Sequence, residues 1–168
     1  MVVSSRKRII LGLAPHKMSL IGGIAWLVCA ISACSGSPSA PGVTDCQADP
    51  NLFDFSGRMV AASEQGTFQL RMLELAPEVP TKGDNRWTIE LLDTQQAPLE
   101  NPEIQVTPFM PQHGHGTGVK AVVAKGEVLG TWIVSPVNLW MPGLWEVKLT
   151  VSHRGQIDNL VIRACIEG

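Results

Sequence analysis

From residue 46 onward the chain predicts an all-β domain, and three observations carry that prediction. Apolar and polar residues alternate with period two over several short runs, as in strands with one face in a core. Clusters of Gly, Pro, Asn and Asp punctuate those runs at short intervals. Helical periodicity is poor by comparison. The overall composition, 45% hydrophobic and 17% charged, belongs to a chain that folds rather than one that stays disordered.

Seven runs read as strands in order. Thr67 to Leu75 alternates, with Phe68, Leu70, Met72 and Glu74 on one face and Gln69, Arg71, Leu73 and Leu75 on the other. Trp87 to Leu92 is aromatic, β-branched and apolar, and Lys82-Gly83-Asp84-Asn85 enters it as a turn. Ile104 to Phe109 alternates cleanly, Val119 to Ala124 is a fourth run, and Gly130 to Val134 a fifth. Trp145 to Val151 and Leu160 to Cys165 complete the set. Turn signals fall at Asp93 to Pro98, Gly114 to Gly118, Pro142-Gly143 and Arg154-Gly155. Pro80, Pro98, Pro102 and Pro108 stand at strand margins, where a missing N–H does least harm. Such spacing predicts an immunoglobulin-like β-sandwich of about seven strands, with a closed β-barrel as the competing arrangement. About 100 residues supply one core and not two. Residues 46–66 read as irregular: Phe53, Phe55 and Met59 suggest an added strand, but Asp49-Pro50-Asn51 and Ser56-Gly57 interrupt it.

The first 33 residues read as an export signal. Arg6-Lys7-Arg8 and Lys17 supply its positive part, and Met18 to Ala33 an apolar stretch too short to span a bilayer comfortably. Ile31-Ser32-Ala33-Cys34 resembles the bacterial lipobox, in which the cysteine becomes the lipidated N-terminus. Residues 34–45 follow as lipidated Cys34 and a Gly/Ser/Pro tether, and residues 46–168 as the folded domain. An ordinary signal peptide or an N-terminal membrane helix is the plainer reading. Ser35 in place of an acidic residue points, by analogy with lipoproteins, to the outer membrane facing the periplasm. Of four cysteines, only Cys46 and Cys165 then remain in the domain, and an oxidising envelope favours a disulfide between them. Closing a loop of about 119 residues contributes on the order of 4–5 kcal/mol in the chain-entropy picture. Two buried thiols are the alternative.

Charge narrows the partners. Without Arg6, Lys7, Arg8 and Lys17 the chain keeps nine basic and all fifteen acidic residues, a net of −6. That balance offers no electrostatic footprint for nucleic acid or for an anionic membrane surface. The polar chemistry gathers instead in Phe109-Met110-Pro111-Gln112-His113-Gly114-His115-Gly116-Thr117. A second segment, Asn138-Leu139-Trp140-Met141-Pro142-Gly143-Leu144-Trp145, repeats the Met-Pro pair. Thioether sulfur is a soft ligand and imidazole a borderline one, so a mixed set of Met110, His113, His115 and Met141 suits copper, Cu(I) above all. In an extended stretch His113 and His115 project to one side, and the flanking glycines let Met110 curl toward the same point. No carboxylate lies between Phe109 and Lys125, which disfavours a hard cation. The plainer readings are methionines filling core gaps, solvated loop histidines, and a type II turn at Met141-Pro142-Gly143. Trp87, Trp132, Trp140 and Trp145 read as core or rim packing, and His153 as a turn residue.

The span from Gly83-Asp84-Asn85 through Met110-Pro111-Gln112-His113-Gly114-His115-Gly116 to Met141-Pro142-Gly143-Leu144-Trp145 resembles the YtkA-like and FixH-like bacterial envelope domains. Those domains pair a strand after a Gly-x-Asn turn with a Met-Pro-x-His-Gly-His loop and a later Met-Pro-Gly-x-Trp. The resemblance covers roughly residues 67–166. It implies an immunoglobulin-like sandwich, a link to copper handling or cytochrome oxidase assembly, and Met110, His113, His115 and Met141 as the residues to test. The chain departs from the pattern in having a lipobox where a spanning helix would stand, and in its Cys46/Cys165 pair.

Two functions from different classes follow. One is an envelope lipoprotein that buffers copper or passes it to a donor or acceptor protein. The other is a metal-free module docking an envelope partner through Leu139 and Trp140 on an exposed loop. An enzyme is not expected, since no Ser/His/Asp set or paired carboxylates are suggested by spacing.

Overall fold

The computed structural model describes residues 45–56 and 60–168, so the expected signal segment and lipid-bearing Cys34 lie outside the described residues. Among the described residues, nine strands follow a short 3-10 helix at Asp45–Ala48. They are β1 (Val60–Ala62), β2 (Phe68–Ala76), β3 (Gly83–Asp93), β4 (Glu103–Met110), β5 (His115–Gly116), β6 (Val122–Lys125), β7 (Thr131–Leu139), β8 (Gly143–His153) and β9 (Gln156–Ile166). All pairings are antiparallel, in one sheet of order β1-β2-β3-β7-β6 and another of order β5-β4-β8-β9. The expected β-sandwich is therefore the observed one, and the two separate sheets set the barrel aside. Without the short β1 and β5, the order is that of the four-on-three sheets of an immunoglobulin constant domain.

Most of the inward faces alternate as the sequence pattern requires, with breaks at the register shifts in β2 and β3. Phe68, Leu70, Trp87, Ile89, Leu91, Val134, Val137 and Leu139 from the first sheet meet Met110, Trp145, Val147, Leu149, Leu160, Ile162 and Ile166 from the second. Trp87 and Trp145 are the largest of the fully buried side chains.

Four expectations need correction. In β2 the register shifts between Met72 and Glu74, so Leu73 is an extra residue at a bulge. Beyond it the faces exchange: Leu75, not Glu74, packs toward the core, and Leu73 is exposed. Gly83-Asp84-Asn85 is not a turn but the start of β3, paired with Leu139, Asn138 and Val137. The buried Asn85 amide replaces the turn's function: it donates to the carbonyls of Thr81, Gly83 and Val137, while its Oδ1 accepts from Thr81 N–H. Pro108 sits inside β4, paired with Val147. Its carbonyl faces Gly116, where a Cβ would lie 2.6 Å from the oxygen. A strand residue's N and C=O point the same way, so the absent N–H falls on the side where β5 pairs only Phe109 and Met110. Finally, β1 stands within the segment read as irregular, and β5 within the one read as a turn.

The Cys46–Cys165 disulfide is present, with Cα atoms 5.5 Å apart. It fastens the N-terminal segment to the free edge of β9, where Phe53 N–H also donates to the Arg163 carbonyl at 2.9 Å. The pairing differs from the core-crossing bridge of antibody domains.

At the opposite end of β9, Asp158 is almost wholly buried. Burial alone would raise its pKa, but hydrogen bonds from Thr67 and from the Gln65 and Asn159 N–H groups outweigh it and hold the carboxyl far below its usual range. Thr67 Oγ1 donates at 2.8 Å and Asn159 N–H at 2.7 Å. A depressed folded-state pKa contributes stability that is full above the unfolded value, about 3.9, and drains away as pH falls below it. Urea midpoints of wild type are thus expected to drop between pH 5 and pH 2. Asp158→Asn should start lower at pH 7 and fall less; parallel profiles for the two proteins would show that the carboxylate carries no such linkage.

Candidate metal centre

The Met-His segment is a hairpin. Residues Phe109 and Met110 at the end of β4 pair with Gly116 and His115 of β5, and Pro111 to Gly114 make the turn between them. The Met110 carbonyl accepts from His113 N–H at 3.2 Å and from Gly114 N–H at 2.9 Å, closing that turn. Gly114 takes φ +68°, which an L side chain adopts only with strain. Gly116 is required for a separate reason, the close approach to Pro108 described above.

Met110 and His115 are directly opposed, so their side chains leave the same face of the sheet and neighbour one another. Met110 points into the core and is fully buried. His115 therefore also points inward, but at the rim, where it is half-buried. His113 is exposed, and its ring centre lies 5.6 Å from that of His115 at 49°. The sequence reading reached this proximity by the wrong route. The two residues do not alternate along one extended stretch; the turn folds His113 back over β5. Two imidazoles holding one ion through nitrogen bonds about 2 Å long have ring centres roughly 5–6.5 Å apart. The observed spacing falls within that window.

The second Met-Pro segment closes the same end. Gly143 opens β8, and a Cβ there would come within 2.8 Å of Met110 Cε, so the Met110 side chain occupies the space this glycine leaves. Met141 is half-buried and packs against the core. Its carbonyl accepts a 2.9 Å hydrogen bond from Trp145 Nε1, which ties the β7–β8 turn to a fully buried side chain. The fold thus brings Met110, His113, His115 and the Met141 turn to one end of the sandwich. Met110 stands apart from the other three in being enclosed by the core.

A polar brace crosses between sheets behind the hairpin. Thr117 Oγ1 donates to Asn138 Oδ1 at 2.7 Å, and Asn138 Nδ2 donates to Asp84 Oδ1 at 2.5 Å. Sequence reasoning missed this chain, whose members are 21 and 54 residues apart. It read Trp140 as packing or a docking anchor and missed that its indole stacks on His115, with ring centres 5.5 Å apart and planes 24° from parallel. The one available signal was the position of Trp140 beside Met141 in a turn. Leu139, named with Trp140 as a docking anchor, is fully buried and cannot contact a partner. It ends β7 facing the core, one residue before the chain turns outward.

Among the described residues no three His, Cys, Asp or Glu side chains gather closely enough to hold a metal ion. Any centre here therefore depends on thioether sulfur joining the two imidazoles, the donor set of a soft cation.

The molecule is then a two-sheet β-sandwich domain that carries a histidine–methionine hairpin at one end. A family model described as YtkA-like matches residues 61–150, more than half of the 168-residue chain, and the chain belongs to that family. No curated protein matches. Among solved structures, the ZirS C-terminal domain is similar at 12% identity, over 88% of this chain and 96% of that one, with a TM-score of 0.35.

Proposed function

We propose that this YtkA-like domain is a copper-binding module of the bacterial envelope, anchored by lipid at Cys34, that holds Cu(I) and passes it to a partner. The observation that carries the reading is the 5.6 Å spacing of the His113 and His115 rings beside Met110 and the Met141 turn. The donors suit the ion: thioethers and neutral imidazoles favour Cu(I), and neither must shed a proton from a high-pKa group as thiolate does. His113 at the surface and Met141 at the rim would hold the ion where a partner can reach it, with binding and transfer rather than catalysis as the role. Copper itself is the cargo, and a copper donor or acceptor protein the implied partner.

Anchorage at Cys34 would set which end of the domain faces the membrane. Cys46 is bonded to Cys165, and Cys165 pairs with Leu144, so the described chain begins at the same end as the Met141 turn. Eleven residues from Ser35 to Asp45 reach at most about 40 Å. A lipid on Cys34 would keep the copper end within that distance of the bilayer, which we read as the outer membrane facing the periplasm.

The test is competition with a colorimetric Cu(I) chelator, using the chain from residue 35 onward. The described residues within it have a closed core and their own disulfide. Wild type should withdraw about one equivalent of Cu(I). Loss of an outer support around a metal ligand costs about 10–100-fold in affinity, so His113→Ala/His115→Ala should lose roughly 100-fold or more. Equal withdrawal by the two proteins would end the copper reading and favour a metal-free docking module.

A further inference from the structure

We infer that Trp140 is the positioning residue of the centre: its indole and the Gly116 carbonyl together hold the His115 imidazole in one tautomer, Nδ1–H, and leave Nε2 as the nitrogen that binds. The inference rests on reading His115 as a ligand, though its first measurement needs no copper.

Three observations converge on it. His115 Nδ1 lies 3.1 Å from the Gly116 carbonyl oxygen. A carbonyl only accepts, so the proton of that hydrogen bond sits on Nδ1 and the lone pair of the neutral ring on Nε2. This is the arrangement in which the second ring nitrogen of a metal-binding histidine is fixed by a backbone carbonyl. A single hydrogen bond leaves χ2 of an imidazole broad. The stacked indole, with planes 24° apart, removes that freedom by holding the ring plane itself. The indole is in turn held by the fold: Leu139 before it is fully buried, and Met141 after it packs on the core with its carbonyl bonded to Trp145. Trp140 nevertheless remains 47% exposed, unlike Trp87 and Trp145. Its contribution is therefore to the ring it covers more than to the core. Holding a ligand in its bound orientation before binding spares the ordering cost at the moment of binding.

The experiment compares wild type, Trp140→Leu and Trp140→Phe in the chain from residue 35 onward, with nitrogen-15 labelled histidine. At pH 8, above the usual histidine range, wild-type His115 should show one tautomer, with its carbon-bound ring protons shifted upfield by the indole. Trp140→Leu should show mixed tautomers and lose the upfield shift, while Trp140→Phe keeps most of both. Urea midpoints of the three should agree closely, which separates positioning from a structural role. In the chelator competition, Trp140→Leu should bind Cu(I) about three- to tenfold more weakly and Trp140→Phe near wild type. Unchanged His115 tautomer in Trp140→Leu overturns the inference, and so does unchanged Cu(I) affinity in a wild type that binds. A wild type that ignores Cu(I) but whose His115 tautomer depends on Trp140 overturns the copper reading and supports the positioning role.

Discussion

Replacing Cys46 and Cys165 together by serine is expected to lower the unfolding free energy of the domain by about 4–5 kcal/mol. The bridge joins residues 119 apart, and cross-linking a loop of that length removes about 5 kcal/mol of chain entropy from the unfolded ensemble. The whole stability of a domain this size is about 5–15 kcal/mol, so the variant should be marginal at 37 °C. A second consequence is local. The residues between Asp45 and Phe53 lie along the β9 edge through the disulfide, the Phe53–Arg163 backbone bond and the Arg163–Asp49 pair. Besides half-buried Phe53 packing on the core, the remaining contacts are polar and partly exposed, and exposed ion pairs contribute about 0–1 kcal/mol. Without the bridge this strap should open below the global transition. Urea unfolding measures the first effect and amide exchange at Phe53 the second. A loss under 1 kcal/mol, with Phe53 still protected, would mean that the strap is held by packing and that the unfolded chain is already compact.

How much of this could be read from the residues alone depends on distance along the chain. The long strands were legible because alternation is local, and their edges were missed by a few residues because pairing extends them past the apolar run. The Leu73 bulge was not legible: one extra residue inverts the faces after it, and nothing in Leu73-Glu74-Leu75 marks which residue is surplus. β5 has two residues and no pattern of its own; it exists because β4 offers Phe109 and Met110 to pair with. The histidine pair was legible in composition, since two imidazoles in three residues flanked by Met-Pro is a chemical signature. The partner of His115 was not, because Trp140 is 25 residues away and meets it only once the β4–β5 hairpin and the β7–β8 connection between the sheets share an end. Asp158 follows the same logic, with partners at Gln65 and Thr67 more than 90 residues earlier. Residues that pair across the fold leave no local trace, and the brace through Thr117, Asn138 and Asp84 is of that kind.

Trp145 is where fold and site meet, and its replacement separates them. Trp145→Ala should cost about 3–5 kcal/mol, the usual range for deleting a fully buried tryptophan. Much of the protein would then unfold in mild denaturant, which says little about copper. Trp145→Phe is the informative change. Phenylalanine keeps most of the apolar volume between the sheets but has no N–H, so the Met141 carbonyl loses its 2.9 Å partner. A lost hydrogen bond of this kind costs about 0.5–1.5 kcal/mol, and the smaller ring adds a modest cavity term. The domain should therefore stay folded at 25 °C. The β7–β8 turn, which carries both Met141 and Trp140, would lose its tie to the core beneath it. Cu(I) affinity should then weaken severalfold although no ligand has been touched, and the indole–imidazole stack at His115 should loosen with it. Chelator competition and the His115 ring-proton shifts read the two effects together. If Trp145→Phe lowers the urea midpoint yet leaves both readings at wild-type values, the turn is held by Leu139 and Gly143 alone, and the indole hydrogen bond serves only the core.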